Sequence, residues 1–451
     1  MNGRAGQLTL SFETLAPLVR DRTRMAQLVL WAGLLFPLVV DTVRTREQVL
    51  AGDFTPVELL RGIVPVVLFL AGVALARPRV RPWTRTELAG GLFVAVAVAS
   101  TVWSVSHRST LLKAGSLAVA YLTIMALARL DERRGLRTLD AMALVVYLVV
   151  VSALVQLAVA PGAVLISIDG PGTVPRLQGQ LPAIAADLLG FYAAAGILFA
   201  AKRVGPAWTQ ERLVRVAIVA MCLLVLVLTR ARTAAALLAL GVVLLYGRAA
   251  LAWLAALSER DRRRLYIAAA AAVAVLLVAA GIEHRRVLSL LSRGQDLRWL
   301  LSLQGRTVIW GDALRVWIHR PLEGFGYYSG HRFAIPVRAG WENLQNLDSM
   351  WVETLIDVGL LGVAAMALLI ASAARDLLRP VATDPQLAVR RVLFVLCVIA
   401  SFVNPSLQSV SYTMVLLGVV CWGAPRLQLS GIPPTEANVA PSRGLFGGIR
   451  L

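Results

Sequence analysis

The chain is 451 residues long, 58% of its residues are hydrophobic and its mean hydropathy is +0.72, which excludes an ordinary soluble globular protein. Its formal net charge is +19, but Lys and Arg gather in connections between apolar runs. That distribution marks membrane topology and argues against a nucleic-acid partner. Cys222, Cys397 and Cys421 lie within apolar runs without CxxC spacing, so no disulfide framework or cysteine metal site is predicted.

The predicted fold is an all-α polytopic membrane protein with about 12 transmembrane helices and one long, partly helical extracytoplasmic loop. A helix that crosses the hydrocarbon core needs about 20 mostly apolar residues. In chain order, the runs of this kind cover residues 25–43, 57–76, 86–105, 111–128, 139–163, 181–201, 213–229, 233–256, 265–282, 348–374, 392–404 and 406–423. The number of these runs makes a single helical bundle the simplest architecture.

The basic residues occupy every second connection along this series. They lie in the N-terminus, in residues 76–85, 129–138, 202–215, 257–264 and 375–391, and in the tail. The positive-inside rule therefore predicts that both termini are cytoplasmic. The predicted organisation is a cytoplasmic N-terminus (1–24), a nine-helix region (25–282), an extracytoplasmic loop (283–347), a three-helix region (348–423) and a disordered cytoplasmic tail (424–451).

The polar stretch from Gln304 to Gly362 is the most informative part of the chain. It contains GRTVIW, GFGYYSG and NLQNLDSMW, and it is dense in Arg, aromatic and amide residues. The spacing of apolar residues predicts a helix from Thr307 to Ile318, which Pro321 ends. Glycines then form an adaptable turn around Tyr327 and Tyr328. A loop of this length next to membrane helices indicates a functional site.

No motif of a soluble enzyme occurs in the chain. Walker A, HExxH and GxGxxG after a strand are all missing from the sequence, so no cofactor is predicted. His107, His284, His319 and His331 are scattered over predicted outer loops without the spacing of a metal site. Acids deep within the predicted spans are almost absent, which argues against ion-coupled transport.

Arginines at the predicted outer ends of helices form the candidate binding site. They are Arg176, Arg230, Arg232, Arg306 and Arg338. Each alone is equally explained as a solvated rim residue or a contact to lipid headgroups. Guanidinium groups, however, bind phosphate bidentately and stay charged when desolvated. Their convergence from separate loops would suit a lipid-linked diphosphate, whose departure fixed cations would stabilise.

Two acids, Asp348 and Glu353, open the tenth predicted span just after Asn346. A carboxylate in this place is either an N-cap or a general base that accepts a proton from a sugar hydroxyl. Neighbouring cations would lower the pKa of Asp348. The aromatic residues predicted to stack on sugars, or to form an interfacial belt, are Tyr327, Tyr328, Trp341 and Trp351.

Four blocks of sequence, taken in order, resemble the O-antigen ligase/polymerase superfamily. They are VWSVSHRST near the third span, Arg176 in RLQGQLP before the sixth, TRART with Arg232 after the seventh, and GRTVIW…PLEGFGYYSG leading to a helix that closes with GLLG. Together they cover roughly residues 100–370. The resemblance implies a bacterial polymerase or ligase that uses polyprenyl-diphosphate-linked sugars on the outer face of the plasma membrane.

The resemblance also contains a departure at the predicted base. Many ligases of this family open the tenth span with His-Asn, followed by Gly eleven residues after the His. Counting back from Gly359 puts Asp348 and Ser349 in those positions. Related cell-wall polymerases of the shape-elongation-division group look similar in using an outer-loop Asp, so Asp348 is a plausible base. The family Asn before the sixth span is missing in LPAIAADLLG, although Asp187 is nearby.

These observations predict a metal-independent membrane glycosyltransferase, either a polysaccharide polymerase or a glycan ligase. The predicted catalytic residues are Asp348, Arg176 and Arg232, and the predicted substrate-binding residues are Arg230, Arg306, Arg338, Tyr327, Tyr328, Trp341, Asn346 and Trp351. The implied partners are a polyprenyl-diphosphate-linked glycan donor, a glycan acceptor and membrane lipids. The missing His favours a polymerase.

A flippase for lipid-linked oligosaccharides, or another transporter, is the alternative. It would line a central cavity with charges, whereas Arg61 and Arg248 are the only arginines well inside the predicted spans. A scaffold protein without catalytic activity is a third possibility, but it needs no converging arginines.

Overall fold

The computed structural model describes residues 22–40, 56–76, 82–131, 138–167, 174–201, 210–282, 306–336, 346–378, 385–404 and 411–422. The described part is mostly helical, which confirms the predicted all-α class. Its longer helices are α1 (Arg22–Val39), α2 (Pro56–Ala76), α3 (Arg85–Ala99), α4 (His107–Asp131), α5 (Thr138–Val159), α6 (Ala186–Ala201), α7 (Gln210–Thr229), α8 (Arg232–Ala256), α9 (Glu259–Ile282), α10 (Arg306–Trp317), α11 (Met350–Leu378), α12 (Pro385–Ala400) and α13 (Tyr412–Trp422).

Seven helices of the described part are long and apolar enough to cross a membrane, namely α2, α3 with the 3-10 turn that follows it, α4, α5, α7, α8 and α11. Helices α6 and α13 are apolar but have only 16 and 11 residues. The structure therefore confirms a polytopic helical protein, while the predicted number of about 12 spans is not confirmed. The tail and residues 283–305 and 337–345 of the predicted loop lie outside the described residues.

Short antiparallel strands interrupt the helical pattern before α6. Strand β1 (Leu165–Ile166) pairs with β2 (Arg176–Leu177), and β3 (Gly179–Gln180) pairs with β4 (Ala183–Ile184). The sixth predicted span was expected to start at residue 181, but α6 begins at Ala186 because the preceding residues belong to this hairpin. The hairpin puts Arg176 close to the first turn of α6.

Helix α6 lies at the centre of the bundle, where every residue from Leu189 to Ala200 is buried. It packs against α5, α7, α8 and α12. Gly190 and Gly196 permit this, because a Cβ at Gly190 would lie 2.4 Å from the Cβ of Ala231. Small residues at helix contacts are typical of membrane bundles. Large apolar side chains on α2, α8 and α9 instead face outward, as a lipid-facing surface requires.

A polar cluster joins α3, α11 and α13 near the C-terminal end of α11. The Thr86 hydroxyl donates to Asp376 Oδ2 at 2.7 Å, and Trp422 Nε1 donates to Thr86 O at 3.1 Å. Helix α3 begins with a capping box between Thr84 and Glu87. These contacts fix α11 against α3, which determines where the opposite end of α11 lies.

Candidate functional site

Helix α11 is interrupted at Gly359. This residue has φ +64°, and a Cβ there would lie 2.2 Å from Leu322 O. The segment from residue 321 to 330, called the glycine-rich loop below, runs along the interruption. Leu361 N–H donates to Leu322 O at 3.1 Å, and further main-chain bonds join the loop to α11. In a membrane protein such a break persists only where other groups form hydrogen bonds with the freed backbone groups. The carbonyl groups of the loop therefore replace acceptors that the helix itself lacks at the break.

The VWSVSHRST segment holds the glycine-rich loop from its other side. Trp103 Nε1 donates to Glu323 O at 2.8 Å, and the Thr110 hydroxyl donates to Tyr327 O at 2.9 Å. Ser100, two residues before this segment, accepts a bond from Tyr327 N–H through its hydroxyl oxygen at 2.9 Å. The segment and its neighbour therefore fix the glycine-rich loop against α3 and α4.

Asp348 lies immediately before α11, in the left-handed region of backbone space with φ +52°. Both main-chain polar groups of the preceding residue, Leu347, form hydrogen bonds with side chains. Trp310 Nε1 donates to Leu347 O at 2.8 Å, and Leu347 N–H donates to Glu353 Oε1 at 2.6 Å. The carboxylate itself accepts a bond from Arg306 Nε at 3.1 Å. Because a non-glycine residue with positive φ needs support from its surroundings, these contacts indicate a positioned carboxylate.

The pKa of Asp348 moves in the direction opposite to the one expected. Loss of hydration raises it, and the charge and hydrogen bond of Arg306 oppose this rise only in part. The charge of Asp187 raises the pKa further. The prediction of a lowered pKa is therefore wrong, because desolvation outweighs the single adjacent cation. A carboxylate with a raised pKa is a stronger base, and its side chain is still 46% exposed, so a hydroxyl can reach it.

Arg176 is buried at a junction of three elements. Its Nε donates to Thr229 O at 2.9 Å, and its guanidinium pairs with Asp187 in the first turn of α6. Thr229 is the last residue of α7. Arg230 and Arg232 follow in the turn into α8, where both are half-buried. The hairpin, α6 and the TRART turn therefore bring three of the predicted arginines to one place.

The two arginine–carboxylate pairs belong to one electrostatic region. The charge of Asp187, the partner of Arg176, is near enough to raise the pKa of Asp348, the partner of Arg306. Helix α10, which carries Arg306, packs directly against α11. The structure therefore brings residues from widely separated parts of the chain together at one end of the bundle. The predicted site residues Arg338 and Trp341 lie outside the described residues.

The two tyrosines of the glycine-rich loop have different surroundings. Tyr327 is completely buried, so its ring faces the protein interior and offers no face to a sugar. Tyr328 is half-buried, and its ring is contacted by Lys113, whose Nζ lies 4.6 Å from the ring centre. The guanidinium of Arg332 lies 5.2 Å from the same centre. Sugar stacking at Tyr327 is thus incompatible with this geometry, and Tyr328 is surrounded by cations.

The remaining predicted contacts lie around the start of α11. Trp351 Nε1 donates to Ser401 Oγ at 3.0 Å, and its ring stacks on Phe402 with the ring centres 5.5 Å apart. This contact joins α11 to the end of α12. Asn346 is exposed. A role of Trp351 and Asn346 in sugar binding stays a prediction.

A buried cluster on α11 was missed by the sequence reasoning. Asp357 is fully buried and accepts bonds from the N–H groups of Tyr328 and His331, both at 2.7 Å. Burial alone would lower the pKa of His331, but Asp357, 3.0 Å from Nδ1, raises it to about 9. Glu353 is buried on the same helix face. The expectation of almost no acids within the spans is therefore wrong for α11, and the available signal was an acid two residues before Gly359.

The region is rich in fixed cations. Among the described residues, no group of three or more His, Cys, Asp and Glu side chains could hold a metal ion. Arginine binds oxyanions directly through paired N–H donors. Chemically, the arrangement provides anion-binding groups next to an accessible carboxylate of raised basicity. That combination suits the displacement of an anionic leaving group by a hydroxyl.

Comparison with known proteins gives one family. Residues 216–367 match the sequence profile of the family described as O-antigen ligase. No curated protein matches the chain. The matched region runs from α7 into α11 and includes the TRART turn, α10, the glycine-rich loop and Asp348. This match supports the resemblance of the chain to the O-antigen ligase/polymerase superfamily.

Proposed function

We propose that this membrane protein transfers a glycan from a polyprenyl-diphosphate carrier to a sugar hydroxyl of an acceptor, as a polysaccharide polymerase or a glycan ligase. The family match indicates a membrane glycan ligase or polymerase. The observation that carries the finer proposal is the Arg306–Asp348 pair, which lies within electrostatic reach of the Arg176–Asp187 pair. It combines a base with anion-binding groups in one place.

In this reaction Asp348 accepts the proton of the acceptor hydroxyl. The hydroxyl oxygen forms a bond to the anomeric carbon of the donor while the bond from that carbon to the diphosphate oxygen breaks. The electron pair leaves with the carrier diphosphate, and a single displacement inverts the anomeric centre. The raised pKa of Asp348 supports this role, because a base is most useful when its pKa approaches the working pH.

The arginines supply positive charge where the diphosphate develops negative charge. Arg176 is anchored by a main-chain oxygen and by Asp187, so its orientation is fixed before a substrate arrives. Arg230 and Arg232 flank the same turn. Preorganised donors stabilise a developing charge without a reorganisation cost during the reaction. Arg306 contacts the base itself, so it would supply positive charge next to the reacting hydroxyl.

The distribution of basic residues supports an active site on the extracytoplasmic side of a bacterial plasma membrane. Arg176 and Asp348 precede α6 and α11, whose other ends lead into the basic connections 202–215 and 375–391. By the positive-inside rule those connections are cytoplasmic. A polyprenyl-linked donor and membrane lipids are then available on the opposite side.

The deciding experiment is glycan transfer by the purified full-length protein in lipid nanodiscs, with a polyprenyl-diphosphate-linked oligosaccharide as donor. Replacement of the proposed base, Asp348→Asn, is expected to lower the transfer rate by about 10²–10⁴-fold. Arg176→Ala is expected to weaken transfer as well, because it removes charge from the leaving-group site.

Arg315→Ala is the matched control, since Arg315 is 79% exposed and, within the described part of the chain, forms its ion pair with Asp312 of the same helix. Its transfer rate should equal that of the wild type. Unchanged transfer by a stably inserted Asp348→Asn protein would contradict the assignment of the base. Movement of intact donor across the bilayer without cleavage of the diphosphate bond would instead favour the flippase.

A further inference from the structure

Two cationic side chains from different elements meet at the ring of Tyr328. Lys113 belongs to α4, and its Nζ is 4.6 Å from the ring centre. Arg332 lies in the turn after the glycine-rich loop; its guanidinium carbon is 5.2 Å from that centre, and it donates a hydrogen bond to the Tyr328 hydroxyl. The two charges are therefore on the order of 10 Å apart or less, within about one Debye length at 0.1 M salt, where like charges repel.

The carboxylate beside this ring, Asp357, is engaged by main-chain donors and by a histidine. Asp357 accepts bonds from the N–H groups of Tyr328 and His331 and from the His331 ring. The His331 ring meets Tyr328 edge-on, with the ring centres 5.5 Å apart. Within the described ranges of the chain, Lys113 makes no ion pair. Lys113 therefore brings to the ring a positive charge for which the described residues provide no ion-pair partner.

The pKa of the Tyr328 hydroxyl also reflects positive charge around its ring. Burial alone would raise the pKa of its hydroxyl, yet the pKa lies below the ordinary value because Lys113, Arg332 and His331 favour the anion. Arg61 on α2 contributes in the same direction. A half-buried site whose cations favour the ionised form of a tyrosine hydroxyl also favours a negatively charged ligand.

The chemistry of the two cations defines the ligand class. A Lys ammonium is a compact charge with three donors, and an Arg guanidinium presents a planar fork, so together they suit a carboxylate or a phosphate. The two cations are connected to the proposed base through α11. Asp357 binds the main chain of Tyr328, and Glu353 binds the main chain of Leu347, the residue before Asp348. Asp357 and Glu353 are four residues apart, which is about 6 Å along the helix. The supports of the two places are thus about one helical turn apart on α11.

We propose that Lys113 and Arg332, held by Tyr328, bind an anionic oxygen group, a carboxylate or a phosphate, beside the Asp348 site. Two sources carry this chemistry at a membrane surface: an acidic sugar of a glycan substrate, and the headgroup of an anionic lipid. The first source rests on the glycan transfer proposed above, and the second does not.

The test uses the full-length protein in phosphatidylcholine nanodiscs and measures binding of glucuronic acid by calorimetry, with glucose as the neutral match. A second arm compares the thermal unfolding midpoint in phosphatidylglycerol and phosphatidylcholine nanodiscs. Lys113→Met removes the charge with little change in volume, Lys113→Arg keeps it, and Arg315→Ala removes an exposed cation elsewhere.

Loss of one charge-assisted contact is expected to weaken binding about tenfold or more. If the acidic sugar is the ligand, Lys113→Met weakens glucuronic acid binding, while Lys113→Arg and Arg315→Ala retain it. If the lipid is the ligand, Lys113→Met instead abolishes the added stability in phosphatidylglycerol. The proposal is overturned if Lys113→Met changes neither arm, or if glucose binds as well as glucuronic acid and the two lipids stabilise equally.

The outcome is separable from that of the proposed function. Asp348→Asn should slow transfer as stated above and leave the charge-dependent binding intact. If Lys113→Met binds like the wild type while Asp348→Asn slows transfer, only the inference about Lys113 and Arg332 fails. If Asp348→Asn transfers normally while Lys113→Met loses binding, only the assignment of the base fails.

Discussion

At the scale of single residues, the basicity of Asp348 is the balance of three opposing influences. Desolvation and the charge of Asp187 raise its pKa, while Arg306 lowers it through a 3.1 Å contact. The carboxylate is therefore neither a simple salt-bridge partner nor an isolated buried acid. The pKa of such a base can be changed by a substitution at a neighbouring residue that does not contact the reacting atoms.

Asp187→Asn is expected to shift the acid limb of the pH–rate profile to lower pH. The variant removes a negative charge that raises the pKa of Asp348, so Asp348 stays ionised, and able to accept a proton, at lower pH. The measurement is kcat/KM of glycan transfer across the acidic range, with Arg315→Ala as a control that should leave the limb in place. A limb that stays in place or moves to higher pH would show that Asp187 does not act on the base through its charge.

At the scale of elements, the interruption of α11 determines the geometry of the site. Gly324 and Gly330 also approach the backbone of α11 closely, since a Cβ at either would lie 2.6 Å from a main-chain atom. The loop and the helix therefore pack backbone to backbone. Side chains larger than hydrogen have no room at these points.

Gly359→Ala is expected to destabilise the protein by about 2 kcal/mol or more, because φ +64° is unfavourable for a residue with a Cβ and that Cβ meets Leu322 O. Gly311→Ala is the matched control. It lies inside α10, where an added Cβ meets nothing within 4 Å, and it should stabilise by about 0.5–1 kcal/mol. Thermal unfolding in detergent compares the two, and equal midpoints for both variants would contradict the packing described for the interruption.

Long apolar runs were sufficient to predict the positions of helices such as α8, which begins at Arg232, next to the predicted start at residue 233. It was not sufficient for α6, because residues 181–185 are as apolar as a helix start yet form a hairpin edge. The pairing of Arg306 with Asp348 joins residues 42 apart and depends on the packing of α10 on α11. Periodicity carries no information on such contacts, and a single glycine at 359 gives no sign that a helix is broken there.

At the scale of the whole molecule, the bundle is held at both ends by polar contacts that involve α11. One end uses Asp376 with Thr86, and the other uses Asp357 with His331. The His331 pair joins the glycine-rich loop to the bundle. Its contribution to stability depends on the charge of the imidazole.

The pKa of His331 is raised to about 9, against about 6.5 for an unfolded chain. A raised folded-state pKa contributes stability that is fully present below the unfolded value and is lost as pH rises through the folded value. The wild-type unfolding midpoint should therefore fall between about pH 6.5 and 9 more steeply than that of His331→Gln, which has no titrating group there. Parallel pH dependence of the two proteins would contradict a protonated His331 in the folded state.

The interruption at Gly359 also has a consequence for the order of assembly in the membrane. The N–H groups of Leu360 and Leu361 find their acceptors on Pro321 and Leu322, which precede α11 in the chain. In hydrocarbon each unsatisfied backbone group costs several kcal/mol. This part of α11 is therefore expected to reach its final place in the bilayer together with the loop and not before it, so the two assemble as one unit.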